Sequence, residues 1–215
     1  QDSYGFLWIG TSKGLNRFDS YKIEKINLAQ YEQINKVNKV YTVYEDEQKD
    51  LLIGTDNGLY KYKRSSNAFC LICGKDSASN TLNLSNYAMR SIIKDKNGNL
   101  WIGTFEGLNR ITSDSTVVVY KKNKDSNSIN ANSITQLFLD SKNNLFIGTS
   151  DGFAVYNPIM DNFERFYHYQ NNEISSPEQK SITSFEEGPG NTIYIGSWGL
   201  GLYEFDLGTK KFVKN

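Results

Sequence analysis

The sequence predicts an all-β protein built from five consecutive units of short strands. Three observations lead to this prediction. The 215 residues include 14 Tyr, 12 Phe and 3 Trp but only 3 Pro, and aromatic residues favour pleated, buried surfaces. One phrase recurs along the whole chain. The segments between its copies contain short apolar runs and turn residues rather than a sustained helical pattern of 3.6 residues.

The recurring phrase reads LWIGTSKGLNRFD, LLIGTDNGLYKYK, LWIGTFEGLNRIT, LFIGTSDGFAVYN and IYIGSWGLGLYEFD. The first glycines of the copies are Gly10, Gly54, Gly103, Gly148 and Gly196, so the spacings are 44, 49, 45 and 48 residues. This period matches the blades of a β-propeller, in which four-stranded sheets pack side by side. Runs such as Leu7-Trp8-Ile9 place apolar side chains on both faces of a strand, as a sheet between two neighbours requires.

Each unit divides into four strands, a to d. In the fourth unit we expect strand a over 133–139, strand b over 145–149, strand c over 153–156 and strand d over 163–167. The turn between strands a and b carries Asp or Gly eight residues before the first glycine of the phrase, and both residues suit a tight turn. These turn residues are Asp2, Asp46, Asp95, Asp140 and Gly188.

The two glycines of the phrase have different predicted roles. The first lies inside strand b, where glycine weakens a strand, so its recurrence predicts that a neighbouring backbone comes close there. The second lies in the turn between strands b and c, where a positive φ is expected. The second glycines are Gly14, Gly58, Gly107 and Gly152.

The units end unevenly. Approximate blade limits are 1–31, 32–80, 81–125, 126–173 and 174–215. The first blade has its a–b turn at Asp2 but no strand a, and the fifth ends after a strand d around 211–213. The sequence therefore predicts a propeller fragment with four complete blades plus strands b to d of another.

The phrase LWIGTxxGLxxF/Y, followed by a polar hairpin and an aromatic strand d, resembles the two-component regulator propeller repeat over nearly the whole chain. That repeat is typical of the extracytoplasmic part of hybrid two-component sensors in gut-dwelling Bacteroidetes. There, two seven-bladed propellers precede a β-sandwich module, a membrane helix and a histidine kinase. The resemblance implies that the chain is part of a seven-bladed, periplasmic, carbohydrate-sensing propeller. The fifth copy departs from the pattern, because Trp198 occupies a turn that is one residue longer and contains Gly199 and Gly201.

Strand order locates the expected binding face, because the b–c turns and the starts of strands a share one rim. An aromatic side chain there can stack on a sugar ring, and polar or charged neighbours can bind its hydroxyls. The alternative for the aromatic residues is packing onto the neighbouring blade. The candidate ligand residues are Lys13, Asp56, Phe105, Glu106, Asp151 and Trp198 in the turns, with Tyr87 and Arg90 at the start of a strand a.

Other site types find little support in the sequence. The single histidine, His168, follows a strand d without Ser or Cys at a nucleophile spacing, which favours a surface or inter-blade role. Residues 95–99 have the oxygen-rich character of a calcium loop, but the later Glu ligand is missing and the turn recurs in altered form in every unit. We expect neither a metal nor a cofactor. The 24 basic and 24 acidic residues give no net field for nucleic acid, and no apolar run suits membrane contact.

Three functions remain open. The first is a sensor propeller that binds an oligosaccharide and relays the signal to a cytoplasmic histidine kinase, by a change between propellers of one chain or between subunits of a homodimer. The alternative is a constitutive protein-interaction scaffold. The third is a polysaccharide-degrading enzyme, for which Arg90, Glu106 and Asp151 are too scattered to form a recognisable cluster. We expect this fragment not to be an enzyme.

Overall fold

The computed structural model describes residues 1–28, 39–74, 82–169 and 176–213, and these form five antiparallel sheets in chain order. Blade 1 contains β1 (Leu7–Thr11), β2 (Gly14–Phe18) and β3 (Ile23–Ile26). Blade 2 contains β4 (Val40–Glu45), β5 (Leu51–Thr55), β6 (Gly58–Lys63) and β7 (Ala68–Gly74). Blade 3 contains β8 (Met89–Lys94), β9 (Leu100–Thr104), β10 (Gly107–Ile111) and β11 (Val117–Tyr120).

Blade 4 contains β12 (Ile134–Leu139), β13 (Leu145–Thr149), β14 (Gly152–Asn157) and β15 (Asn162–Phe166). Blade 5 contains β16 (Ile182–Glu187), β17 (Thr192–Ser197), β18 (Gly201–Asp206) and β19 (Lys211–Val213). Short 3-10 helices cover Arg64–Ser66 and Pro177–Lys180. The prediction of an all-β propeller fragment with four complete blades and one three-stranded blade is confirmed.

Within each complete blade the strands follow chain order from a to d, and the a strands of consecutive blades contact one another. The a strands are β4, β8, β12 and β16. They therefore form the inner layer, while the d strands lie at the outside. This arrangement puts residues from several blades side by side at each end of the inner layer.

A separate apolar cluster fills each interface between consecutive blades. Between blades 3 and 4 it joins Trp101 and Leu108 to Ile134 and Ile147. Trp101 is fully buried. In the three-stranded blade Trp8 is only half-buried and Leu7 and Ile9 are exposed, so the expected burial on both faces is wrong for that run. Because both faces of an inner blade are covered in this way, its strands carry apolar side chains on both sides.

The first glycine of the phrase is needed for the packing of blade on blade. A Cβ atom at Gly103 would lie 2.5 Å from Cγ2 of Ile134, and one at Gly10 would lie 2.8 Å from the carbonyl oxygen of Val40. Both neighbours belong to strand a of the following blade. The predicted close approach of a neighbouring backbone is confirmed at Gly10, whereas at Gly103 the close neighbour is the Ile134 side chain.

The aspartate of the a–b turn organises the turn and holds the phrase tryptophan. Asp95 Oδ1 accepts hydrogen bonds of 2.9 Å from the backbone N–H groups of Asn97 and Asn99, and Asp95 Oδ2 accepts one of 2.8 Å from Trp101 Nε1. In blade 1, Asp2 Oδ2 accepts a 2.7 Å bond from the indole of Trp8. These carboxylates serve the hairpin, as the sequence analysis expects.

Candidate functional site

The b–c turns and the starts of the a strands meet on one rim, as predicted from strand order. The N–H of Ser150 donates to the Ser133 carbonyl oxygen at 3.0 Å, and the N–H of Trp198 donates to the Ser181 carbonyl oxygen at 2.9 Å. Each bond ties the first residue of a b–c turn to the residue just before strand a of the same blade. The second glycine lets the turn close, because φ is positive there, for example 149° at Gly107.

Each complete blade has a β-bulge at the start of strand a. In blade 3 Met89 pairs with Thr104 and Ser91 pairs with Gly103, so Arg90 is the extra residue. The same shift occurs in the other complete blades. A bulge redirects the side chain of the extra residue away from the ladder. We call the extra residues the bulge residues: Tyr41, Arg90, Thr135 and Thr183, from blades 2 to 5 in that order.

Three bulge residues line a groove of about 590 Å³ on this rim, which we call the rim groove. Its walls are Arg90, Thr135, Ser150, Ser181, Ile182, Thr183 and Trp198. The residues come from blades 3, 4 and 5, and none of them is acidic. Trp198 is 62% exposed and forms one end of the wall. The groove therefore combines one cation, one indole and four hydroxyl groups.

A larger cavity of about 870 Å³ lies between the outer strands of blades 4 and 5. Phe163, Phe166 and Phe205 are among its lining residues. It contains none of the candidate ligand residues. We therefore regard the rim groove, rather than this larger cavity, as the candidate site.

Arg90 is held by aromatic rings. Its guanidinium carbon lies 4.9 Å from the centre of the Phe105 ring, and that ring makes an edge contact with Tyr41 at 5.9 Å. Burial lowers the pKa of Arg90 from its ordinary value, although an arginine stays charged at neutral pH. Phe105 remains 40% exposed. Phe105 thus packs against Tyr41 of blade 2 and Arg90 of blade 3, and part of its ring is exposed at the rim.

Two predicted carboxylates bind other groups of the protein and do not line the groove. Asp151 Oδ1 accepts a 2.5 Å bond from the Tyr169 hydroxyl, and Asp151 Oδ2 lies 3.5 Å from the ammonium of Lys122. Asp56 Oδ1 accepts a 2.9 Å bond from the N–H of Lys39. Both carboxylates are therefore occupied by protein partners.

The remaining candidates also lie outside the rim groove. Tyr87 packs partly against the apolar cluster between blades 2 and 3. Glu106 and Lys13 are exposed in the turns of blades 3 and 1, where their N–H groups bond the preceding threonine hydroxyls. Sequence reasoning missed Thr135, Ser181 and Thr183. The sequence identifies these residues only by their position at or just before the start of strand a. A β-bulge cannot be recognised from the residue types.

His168 is buried between blades 4 and 5, in agreement with the predicted inter-blade role. Its Nε2 lies 2.7 Å from Ser197 Oγ, and the Ser197 hydroxyl donates to the Gln179 carbonyl oxygen at 3.0 Å. The other copies have Thr in place of Ser197, and that hydroxyl closes the b–c turn, as Thr104 does on Gly107 at 2.8 Å. In the longer turn of blade 5, the Ser197 hydroxyl contacts His168 and Gln179 in place of the glycine carbonyl of its own turn.

The His168→Gln variant is expected to remove a pH dependence of stability. Burial lowers the pKa of His168 below its ordinary value. The unfolded chain then takes up a proton near pH 6.5 that the folded chain does not, so stability is lost as the pH falls from about 7 to 5. Urea unfolding at several pH values should show this loss in the parent protein and a flatter profile in the variant. His168 is the sole histidine of the sequence, so an equally steep profile in the variant would contradict the assignment.

Residues 83–106, which include β8 and β9, match the family described as two component regulator propeller. The matched segment belongs to blade 3 and contains Arg90, one of the residues that line the rim groove. No curated protein matches the chain.

Within the described ranges, no three His, Cys, Asp or Glu side chains cluster as metal ligands. No helix in these ranges has the length and apolar character needed to cross a membrane.

Solved structures with the same fold include two extracellular domains from B. thetaiotaomicron. One, from BT4673, described as a hybrid two component system, matches with a TM-score of 0.77 and 21% identity, over 100% of this chain and 26% of its own. The other, from BT3049, also described as a hybrid two component system, gives a TM-score of 0.76 and 26% identity, over 100% and 28%. The chain thus spans about a quarter of the length of those domains.

Virginiamycin B lyase from Staphylococcus aureus is also similar, with a TM-score of 0.67 and 14% identity, over 98% of this chain and 66% of its own. A likeness at this identity shows only that the chain shares its propeller fold with an enzyme. Fold alone does not transfer an activity.

Proposed function

We propose that the chain is the ligand-recognising propeller of an extracytoplasmic, periplasmic sensor in a two-component signalling system, and that its ligand is an oligosaccharide. The observation that carries the proposal is the rim groove, which brings Trp198 and Arg90 together with four hydroxyl side chains. The likeness to the extracellular domains of hybrid two component systems supports the sensor role and the extracytoplasmic location.

The groove suits a sugar for chemical reasons. An exposed indole such as that of Trp198 can cover the apolar face of a pyranose ring, while hydroxyl groups exchange hydrogen bonds with the sugar hydroxyls. Ser150, Ser181 and Thr183 supply groups that both donate and accept. A volume of about 590 Å³ falls in the range of small-ligand sites.

The position of the groove also suits signalling. A ligand there would touch blades 3, 4 and 5 at once, because the lining residues belong to all three. A ligand shifts a conformational equilibrium only by its difference in affinity for the two states. We propose that the bound oligosaccharide favours one packing of these blades, and that this difference is passed on to a cytoplasmic histidine kinase of the full-length sensor.

The test is calorimetric titration of the protein with a panel of host and plant oligosaccharides. A saccharide that binds should lose roughly tenfold in affinity in the Trp198→Ala variant, because ring stacking is removed. The matched control is Ile159→Ala, which removes a 90% exposed side chain in the c–d turn of blade 4, at the opposite rim. Full affinity in Trp198→Ala, or no binding of any saccharide, would contradict the proposal.

A protein-binding role is the second candidate, and one observation favours it. Ile159 and Met160 are 90% and 67% exposed, side by side in a turn of the rim opposite the groove. If a purified protein partner binds the chain and Met160→Asp abolishes that binding while Trp198→Ala does not, the scaffold function replaces the sensor function.

A further inference from the structure

We infer that the rim groove selects an acidic oligosaccharide, whose carboxylate or sulfate group binds Arg90 while the sugar ring that carries it lies near Trp198. This inference rests on the proposed function and specifies its ligand class. It follows from the state of Arg90, from the absence of acidic residues in the groove wall and from the hydroxyl groups beside the guanidinium.

Arg90 has no anionic partner among the described residues. Arg17, Arg64 and Arg110 each form an ion pair, with Glu24, Asp2 and Asp161 respectively. Among the described residues Arg90 has neither an ion pair nor a hydrogen bond, and its contact is the ring of Phe105. The side chain is half-buried, so its charge has lost part of its hydration. Such a loss costs free energy unless a counter-charge offsets it.

The guanidinium is suited to that counter-charge. Arginine presents N–H groups in a planar fork that binds two oxygens of one carboxylate, sulfate or phosphate at the same time. The contact with Phe105 restricts the orientation of the fork before a ligand arrives. Because none of the groove residues is acidic, no side chain of the wall competes with the ligand for Arg90.

Hydroxyl side chains of the next two blades line the same groove as Arg90. They are Thr135 and Ser150 of blade 4 and Ser181 and Thr183 of blade 5. A hydroxyl group can donate a hydrogen bond to a ligand carboxylate or sulfate whose charge Arg90 neutralises. Trp198 lines the groove from blade 5 and is available to the remainder of the sugar.

The experiment compares trigalacturonate with its methyl ester, which has the same ring hydroxyls but no charge. Titration of the protein should show binding of the acid at least tenfold tighter than that of the ester. Arg90→Gln should abolish this preference by weakening the acid alone. Arg90→Lys should keep part of it, because a lysine retains the charge but not the fork. Lys13→Gln, a cation of the same rim in blade 1, should change neither affinity.

Additional arms separate the possible outcomes. A sulfated disaccharide that binds through Arg90 in place of the uronate supports the inference with sulfate as the anion. If neutral saccharides bind with full affinity in Arg90→Gln but not in Trp198→Ala, the sensor proposal stands and the acidic ligand is wrong. If Lys13→Gln weakens the acid as much as Arg90→Gln does, the preference reflects general charge and the inference is overturned. If no saccharide binds, both fail.

Discussion

Replacement of Trp101 by alanine is expected to lower the free energy of unfolding by about 3–5 kcal/mol, the range for removal of a buried tryptophan. Trp101 is 0% exposed and is the largest fully buried side chain among the described residues. Its ring packs at 4.7 Å from that of Tyr156 in the next blade, and Arg110 lies 5.5 Å from its centre. The variant also removes the hydrogen bond that the indole N–H donates to Asp95. Urea unfolding followed by circular dichroism measures the change.

The control for this experiment is another tryptophan. Trp198→Ala removes an indole that is largely exposed, so its effect on stability should stay within about 0.5 kcal/mol. The same variant tests ligand binding, and its unchanged stability would show that any lost affinity comes from the missing ring. Equal destabilisation by the two replacements would mean that the interface between blades 3 and 4 is not organised around Trp101.

Gly103→Ala is expected to destabilise the protein by about 1–3 kcal/mol, although alanine suits a strand no less than glycine. The new methyl group would lie 2.5 Å from Cγ2 and 3.0 Å from Cβ of Ile134, which is itself fully buried and branched at Cβ. Cβ is fixed by the backbone, so it cannot move without displacing strand a of blade 4. Thermal or urea unfolding should therefore show a lower stability for the variant.

A double-mutant cycle with Ile134→Ala tests the cause. That replacement removes Cγ2, so Gly103→Ala should cost less in its presence than in its absence. Gly208→Ala is the matched glycine control, because a Cβ there would meet its nearest atom at an ordinary 3.4 Å. Strictly additive effects of Gly103→Ala and Ile134→Ala would show that the two residues do not touch.

Much of the fold could be predicted because it repeats. The limits of strand b follow from the phrase, and β13 (Leu145–Thr149) lies where the sequence places it. The last strand d, β19 (Lys211–Val213), also lies at its predicted position. The a–b turn at Asp95 and the positive φ at Gly107 are local requirements of the chain, which the residue types report directly. Similar local requirements in five copies leave few alternatives to a propeller.

The candidate site was predictable only in part. The sequence points to the rim that carries the groove and to two of the residues that line it, Arg90 and Trp198. Asp56 and Asp151 look equally suitable as ligand residues in the sequence, but their carboxylates bind Lys39 and Tyr169. Residue type does not show which polar group of a turn is already satisfied by the protein, because the partner depends on the folded path of the chain.

The sequence by itself determined the number of blades, their strands and the rim on which the turns meet, since each follows from spacing, turn chemistry and strand order within one repeat. Only the tertiary structure decided that Arg90, Thr135 and Thr183 converge with Trp198 across three blades. The physical reason is that convergence depends on how consecutive sheets pack and on a one-residue bulge at the start of each strand a. The residues of one repeat do not show how consecutive sheets pack or where a bulge lies. The groove therefore forms only where the repeats pack together.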